Sequence, residues 1–70
     1  MNKVLINKEP VELFKLLKFE GLVSTGGEAK LVIDEGMVSV NGQIEMRKRR
    51  KMVAGDTFEF DDQQFLLELE

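Results

Sequence analysis

The sequence predicts an α+β domain, a two-helix hairpin packed on a small antiparallel β-sheet. Three observations predict it. Apolar residues recur at helical spacing between Pro10 and Gly36, the period changes to two after Gly36, and turn signals at Asn41–Gly42, Ala54–Asp56 and Asp61–Gln63 cut the remainder into short strands.

The elements follow in order. Lys3 to Ile6 is a short, branched, apolar segment, closed by the breaker "NKEP". Pro10, with its fixed φ, suits the first turn of a helix running to about Glu20. At about 100° per residue Leu13, Phe14, Leu16 and Leu17 fall on one arc, Glu12, Lys15 and Lys18 lie off it, and Gly21 supplies a left-handed stop. Phe19 lies outside the arc and is expected to fold in at the helix end.

"TGGE", Thr25 to Glu28, has the capping-box spacing, with the Thr25 hydroxyl accepting from the Glu28 N–H and the Glu28 carboxylate reaching back. A second helix starts there, places Ala29, Val32 and Ile33 on one face, pairs Lys30 with Asp34 at i,i+4, and ends at Gly36. A connection of about four residues makes the helices a compact hairpin. Val38 and Val40 then alternate with Ser39, "NG" turns the chain into Gln43–Glu45, and strands follow at Thr57–Phe60 and in "QFLLEL". The expected core is Leu13, Leu17, Ala29, Val32, Ile33, Val38, Val40 and Phe58.

Seventy residues make one small domain, expected to span the chain, with little room for a deep cleft. Cys, His, Trp and Tyr are absent, so disulfides, thiolate or imidazole metal ligands and the common nucleophile–base pairs are absent too. Asp61 and Asp62 form a turn and fall short of a calcium loop's ligand set. Neither an enzyme nor a cofactor is expected. No stretch approaches the roughly 20 apolar residues of a membrane span, and the N-terminus lacks a signal peptide's apolar core, which points to a cytoplasmic protein.

The charge is concentrated. Arg47, Lys48, Arg49, Arg50 and Lys51 hold five of the ten cationic residues of a chain whose net charge is -3, which leaves five cations against thirteen acids elsewhere, a remainder of -8. Such a run is either a solvated loop or a site met by anions. Arg forks match phosphate and Lys adds point charges, while the acidic remainder would turn nucleic acid away from other faces.

"LLKFEGLVSTGGEAKLVIDEGMVSVNGQIE" followed by "VAGDTFEF" resembles the RNA-binding domain family named after small-subunit ribosomal protein four, over about Val11 to Phe60. The likeness is to its short bacterial stand-alone version. It implies two helices beside a small sheet, with an RNA surface formed by the helical hairpin and the adjoining loop. Matching positions are the turn at Thr25, Gly26 and Gly27, Lys30 on the second helix, and the segment after Glu45, with Lys15 and Lys18 flanking. Many relatives carry Arg where this chain has Gly26, and many start the first helix with Arg where it reads "VEL"; Arg47 to Lys51 stand as the replacement cations.

The resulting expectation is a monomeric, RNA-binding module that grips structured RNA of the ribosomal or transfer RNA class by its phosphates, alone or in a ribosome or other ribonucleoprotein. The competing expectation is an adaptor whose basic loop binds an acidic protein.

Overall fold

The computed structural model describes all residues from Met1 to Glu70 and contains two helices and two sheets. Strands β1 (Asn2–Ile6), β3 (Val38–Val40), β4 (Gln43–Ile44), β6 (Thr57–Phe60) and β7 (Gln63–Leu69) form a five-stranded sheet in the order β1-β7-β6-β3-β4. Its pairs are antiparallel except one: β1 runs parallel to β7, with Val4 opposite Leu67. The sheet is therefore mixed where the sequence suggested an antiparallel one. Alternation gave β1 no direction, and its partner lies at the other end of the chain, beyond the reach of local turn signals.

One face of this sheet carries the core. Val4, Ile6, Val38, Val40, Phe58, Phe65 and Leu67 point inward at alternate positions, and Phe58 and Phe65, directly paired across β6 and β7, stack with ring centroids 4.8 Å apart. Helices α1 (Leu13–Phe19) and α2 (Gly26–Asp34) close over it with Leu13, Leu16, Leu17, Ala29, Val32 and Ile33. All eight expected core residues are buried, joined by Val23 from the link between the helices and by Met52 from a short strand of the second sheet.

Helix α1 is shorter than expected. Val11 and Glu12 form β2, antiparallel to β5 (Lys51–Met52), with Val11 opposite Met52. Pro10 thus leads into a strand and Glu12 (ψ 138°) is the N-cap. Burying Met52 completely against this pair outweighs the local helical signal of the segment.

Thr25 caps α2 as its spacing predicts, its Oγ1 accepting from the Glu28 N–H at 3.0 Å. The Glu28 carboxylate reaches one residue further back, to the Ser24 N–H at 2.8 Å. Both helices end in paired bonds across a left-handed glycine. Leu22 N–H donates to the Leu17 carbonyl and Gly21 N–H to that of Lys18; Met37 N–H donates to Val32 and Gly36 N–H to Ile33. The link between the helices, Glu20 to Thr25, is longer than the four residues expected. Phe19 does not fold in: with Leu16 and Leu17 filling the inward face, its ring stands 77% exposed.

A candidate nucleic-acid interface

Four acidic or aromatic residues, Glu45, Glu12, Asp34 and Phe14, organise the basic segment. The tight turn at Asn41 (φ 50°) and Gly42 (φ 85°) pairs Val40 with Gln43 and Ser39 with Ile44. Glu45 then falls opposite Val38, its N–H donating to the Val38 carbonyl at 2.9 Å, and its side chain is only 11% exposed. A buried carboxylate needs partners. Arg47 supplies its backbone N–H (3.0 Å), Nε (3.0 Å) and Nη2 (3.1 Å), and Arg50 supplies Nη1 (2.9 Å).

This clamp holds the Glu45 carboxyl at about 2, chiefly through the Arg47 side-chain bonds; burial opposes the shift, and the Arg47 backbone N–H and Arg50 reinforce it. Glu45 in turn raises the pKa of Arg47. Arg50 is the more enclosed partner, its side chain 27% exposed against 71% for Arg47, and its buried Nε has no acceptor.

The backbone of the same segment caps α1. Glu12 gives that helix no side-chain cap; instead Leu13 N–H donates to the Arg50 carbonyl at 2.9 Å and Phe14 N–H to the Lys48 carbonyl at 3.1 Å. With Glu12 opposite Lys51 in the β2–β5 pair, the run is fastened along the start of α1. The run is not a loose loop: two of its side chains are held by Glu45, and the backbone between them is fixed by the helix it caps, while Arg47, Lys48, Arg49 and Lys51 stay exposed.

Arg49 and Lys48 of the run also meet acids, as does Lys15. Arg49 lies 3.4 Å from Glu12, and Lys15 lies 3.2 Å from the same carboxylate. Lys15, burial against it and Arg49, in that order, act on the Glu12 carboxyl, with a net lowering of its pKa. Lys48 stands 3.9 Å from Asp34, which takes the acid expected to pair with Lys30. Lys30 turns instead toward the Phe14 ring, with Nζ 4.8 Å from its centroid. Arg47, Arg49, Arg50 and Lys51 together line one shallow, open concavity.

The structure thus brings Arg47 to Lys51, Lys15 and Lys30 around the start of α1. Against these seven cations stand the carboxylates of Glu12, Asp34 and Glu45, leaving a local charge of +4 in a chain of net charge -3. Lys18 sits one turn beyond Lys15 on α1, exposed and in no ion pair. Gly26 and Gly27 open α2, where their N–H groups have no acceptor within the helix. The Glu28 carboxylate, bonded at Ser24, does not cover them. A side chain at Gly26 would come no nearer than 3.7 Å to the Phe14 ring, and one at Gly27 no nearer than 3.8 Å to the Thr25 hydroxyl, so packing alone does not demand glycine at either position.

Residue-by-residue reading missed Glu45, Glu12 and Phe14. Glu45 had a signal: a two-residue turn at Asn41–Gly42 fixes the register that sets it against Val38. Glu12 and Phe14 had none, since their roles depend on where a segment more than thirty residues away is docked.

Two helices packed on a mixed sheet are the fold shared with a solved S4-type relative, and the chain belongs to the S4 domain family, whose model matches residues 4–68. It is 52% identical over 56 residues to YbcJ of Escherichia coli (strain K12), whose name assigns it RNA binding provisionally; the match covers 79% of this chain and 80% of YbcJ. It is 33% identical over 60 residues to RlbA of Bacillus subtilis (strain 168), named a "Probable ribosome maturation protein", covering 86% of this chain and 84% of that one. The solution structure of YbcJ from E. coli, described as revealing an αL motif involved in RNA binding, superposes with a TM-score of 0.73 at 43% identity, covering 97% of this chain and 87% of that one. No helix is long and apolar enough to cross a membrane, and no group of three or more acids is placed to hold a metal ion.

Proposed function

We propose that this chain is an RNA-binding module that holds structured RNA, of the ribosomal or transfer RNA class, through backbone phosphates. The observation that carries the reading is the pre-arranged cationic face. Seven cations from α1, α2 and the 47–51 segment converge on one surface of an otherwise acidic domain, and five of them are paired with carboxylates while the segment's backbone caps α1. Cations spread over a curved surface suit scattered phosphates of a folded RNA better than the edges of one base sequence. Two of the five Phe rings are stacked in the core, and Trp and Tyr are absent, which leaves little for stacking successive unpaired bases.

The names of YbcJ and RlbA support the same reading, and RlbA's supports a setting in ribosome maturation. Those names describe RNA binding and ribosome maturation, which supports reading the chain as a binding module.

The test varies the cations that do not hold the fold. Lys30, Arg49 and Lys51 leave the Glu45 clamp intact when changed together to Gln. Binding to a folded RNA, to an unstructured strand and to an acidic protein is followed by anisotropy at several salt concentrations. Salt-sensitive binding to folded RNA that the triple variant loses supports the proposal. Preference for the acidic protein overturns it in favour of an adaptor.

A further inference from the structure

Phe14 lies at the margin of the core. Its ring is half-buried, packed against the core on one side. Cations from three elements face it: Lys30 Nζ of α2 at 4.8 Å from the ring centroid, Arg49 Cζ of the basic segment at 5.2 Å, and Lys15 Nζ of α1 at 5.9 Å. Each lies within the roughly 6 Å over which a ring quadrupole attracts a cation. Phe58 and Phe65 stack on each other in the core, and Phe19 projects into solvent; cations gather at Phe14 alone.

We infer that Phe14 is a positioning residue of the RNA-binding face: its ring gathers Lys30 and Arg49 at the junction of α1, α2 and the basic segment, so that the two meet RNA phosphates already arranged. The inference rests on the RNA-binding reading above. Its physical basis is entropic. Lys and Arg side chains lose rotamer freedom when they engage a ligand, and a ring that restrains them beforehand lowers that loss. Lys30 has no carboxylate within ion-pair distance, so the ring is what restrains its ammonium; Arg49 has Glu12 at 3.4 Å as well.

The role has a signature distinct from that of a charge. Removing the ring leaves every cation in place, so the number of counterions released on binding is unchanged and the salt slope stays constant while affinity falls. The backbone anchor stays too, because it is the Phe14 N–H, not its side chain, that bonds the Lys48 carbonyl.

The experiment compares wild type with Phe14→Leu, which is apolar without a π face, and Phe14→Trp, which keeps one. In wild-type protein without RNA, ring current should move the terminal methylene protons of Lys30 and Arg49 upfield of those of the exposed Lys8. Phe14→Leu should abolish these shifts and weaken binding to a folded RNA roughly 3- to 10-fold, the loss of two cation–π restraints, at an unchanged salt slope. Phe14→Trp should stay within about twofold of wild type. If Phe14→Leu fails to fold, Phe14→Met, which adapts to irregular gaps, takes its place with the same readouts. Absent shifts in wild type overturn the inference, as does full affinity in a folded variant that has lost them, or a Trp variant as weak as the Leu variant. Clear shifts in a wild type that binds no RNA overturn the RNA-binding reading and this role with it, and leave the ring–cation cluster standing as a structural feature.

Discussion

Replacing Glu45 by Ala tests whether the basic segment is built into the fold. The change removes the acceptor of four hydrogen bonds, three from Arg47 and one from Arg50. Breaking a buried ion pair costs about 3–5 kcal/mol. Arg47, 71% exposed, regains water and contributes little of that; Arg50, 27% exposed and already lacking an acceptor at Nε, cannot. The expected loss is therefore about 2–3 kcal/mol, out of roughly 4–10 kcal/mol for a domain of this size. At about 4–8 °C per kcal/mol the melting temperature falls by roughly 10–20 °C. Without Trp or Tyr the natural assay is far-ultraviolet circular dichroism. Adding Arg50→Met removes the stranded charge while keeping the aliphatic stem and the Arg50 carbonyl that caps Leu13, and should recover more than half of the loss. A single variant melting within about 2 °C of wild type would refute this reasoning. So would a double variant no more stable than the single.

Acid should weaken the same clamp. The Glu45 carboxyl titrates lower in the folded chain, at about 2, than at its ordinary value of 4.5, so its contribution is whole above that ordinary value and is lost as pH falls toward 2. Glu12, also lowered, acts in the same direction. Chemical denaturation at a series of pH values should show Glu45→Gln losing less stability than wild type across that window, and parallel losses would contradict the assignment. Thr25→Ala should cost roughly 0.5–2 kcal/mol by removing the α2 cap. Circular dichroism melts read that cost; unchanged melting with collapsed RNA affinity would instead make Thr25 a binding residue. Changing Arg47, Arg49 and Arg50 together to Gln should lower the melting point as well as RNA affinity, because Arg50 is half-buried against Glu45; melting like wild type would make Arg50 a surface charge.

Legibility in the sequence followed interaction range. The helical arcs, the Thr25 cap, the Asn41–Gly42 turn and the strand Thr57–Phe60 are set by neighbours within a few residues, and the structure shows each of them. The parallel β1–β7 pair and the β2–β5 pair join distant segments, and the local signal at Pro10–Glu12 pointed to helix. The candidate site divides in the same way. Five consecutive cations are visible in the sequence. Their restraint by Glu45, Glu12 and Asp34, and the turn of Lys30 from Asp34 to Phe14, depend on how the 47–51 segment docks on α1. Family resemblance pointed to this region; the side-chain geometry follows from how the segment docks.

The central claim, that the cationic face engages RNA phosphates, is tested most directly by the salt dependence of binding to a folded RNA, measured on wild type and on the variant with Lys30, Arg49 and Lys51 changed to Gln. With about four phosphates neutralised, log K should fall with log salt at a slope near -3 to -4 for wild type, using roughly 0.7–0.9 per phosphate. The variant's slope should flatten by about two to three units, with affinity lost for most RNA sequences alike. Equal slopes and affinities for the two proteins, at equal melting temperatures, would contradict the account.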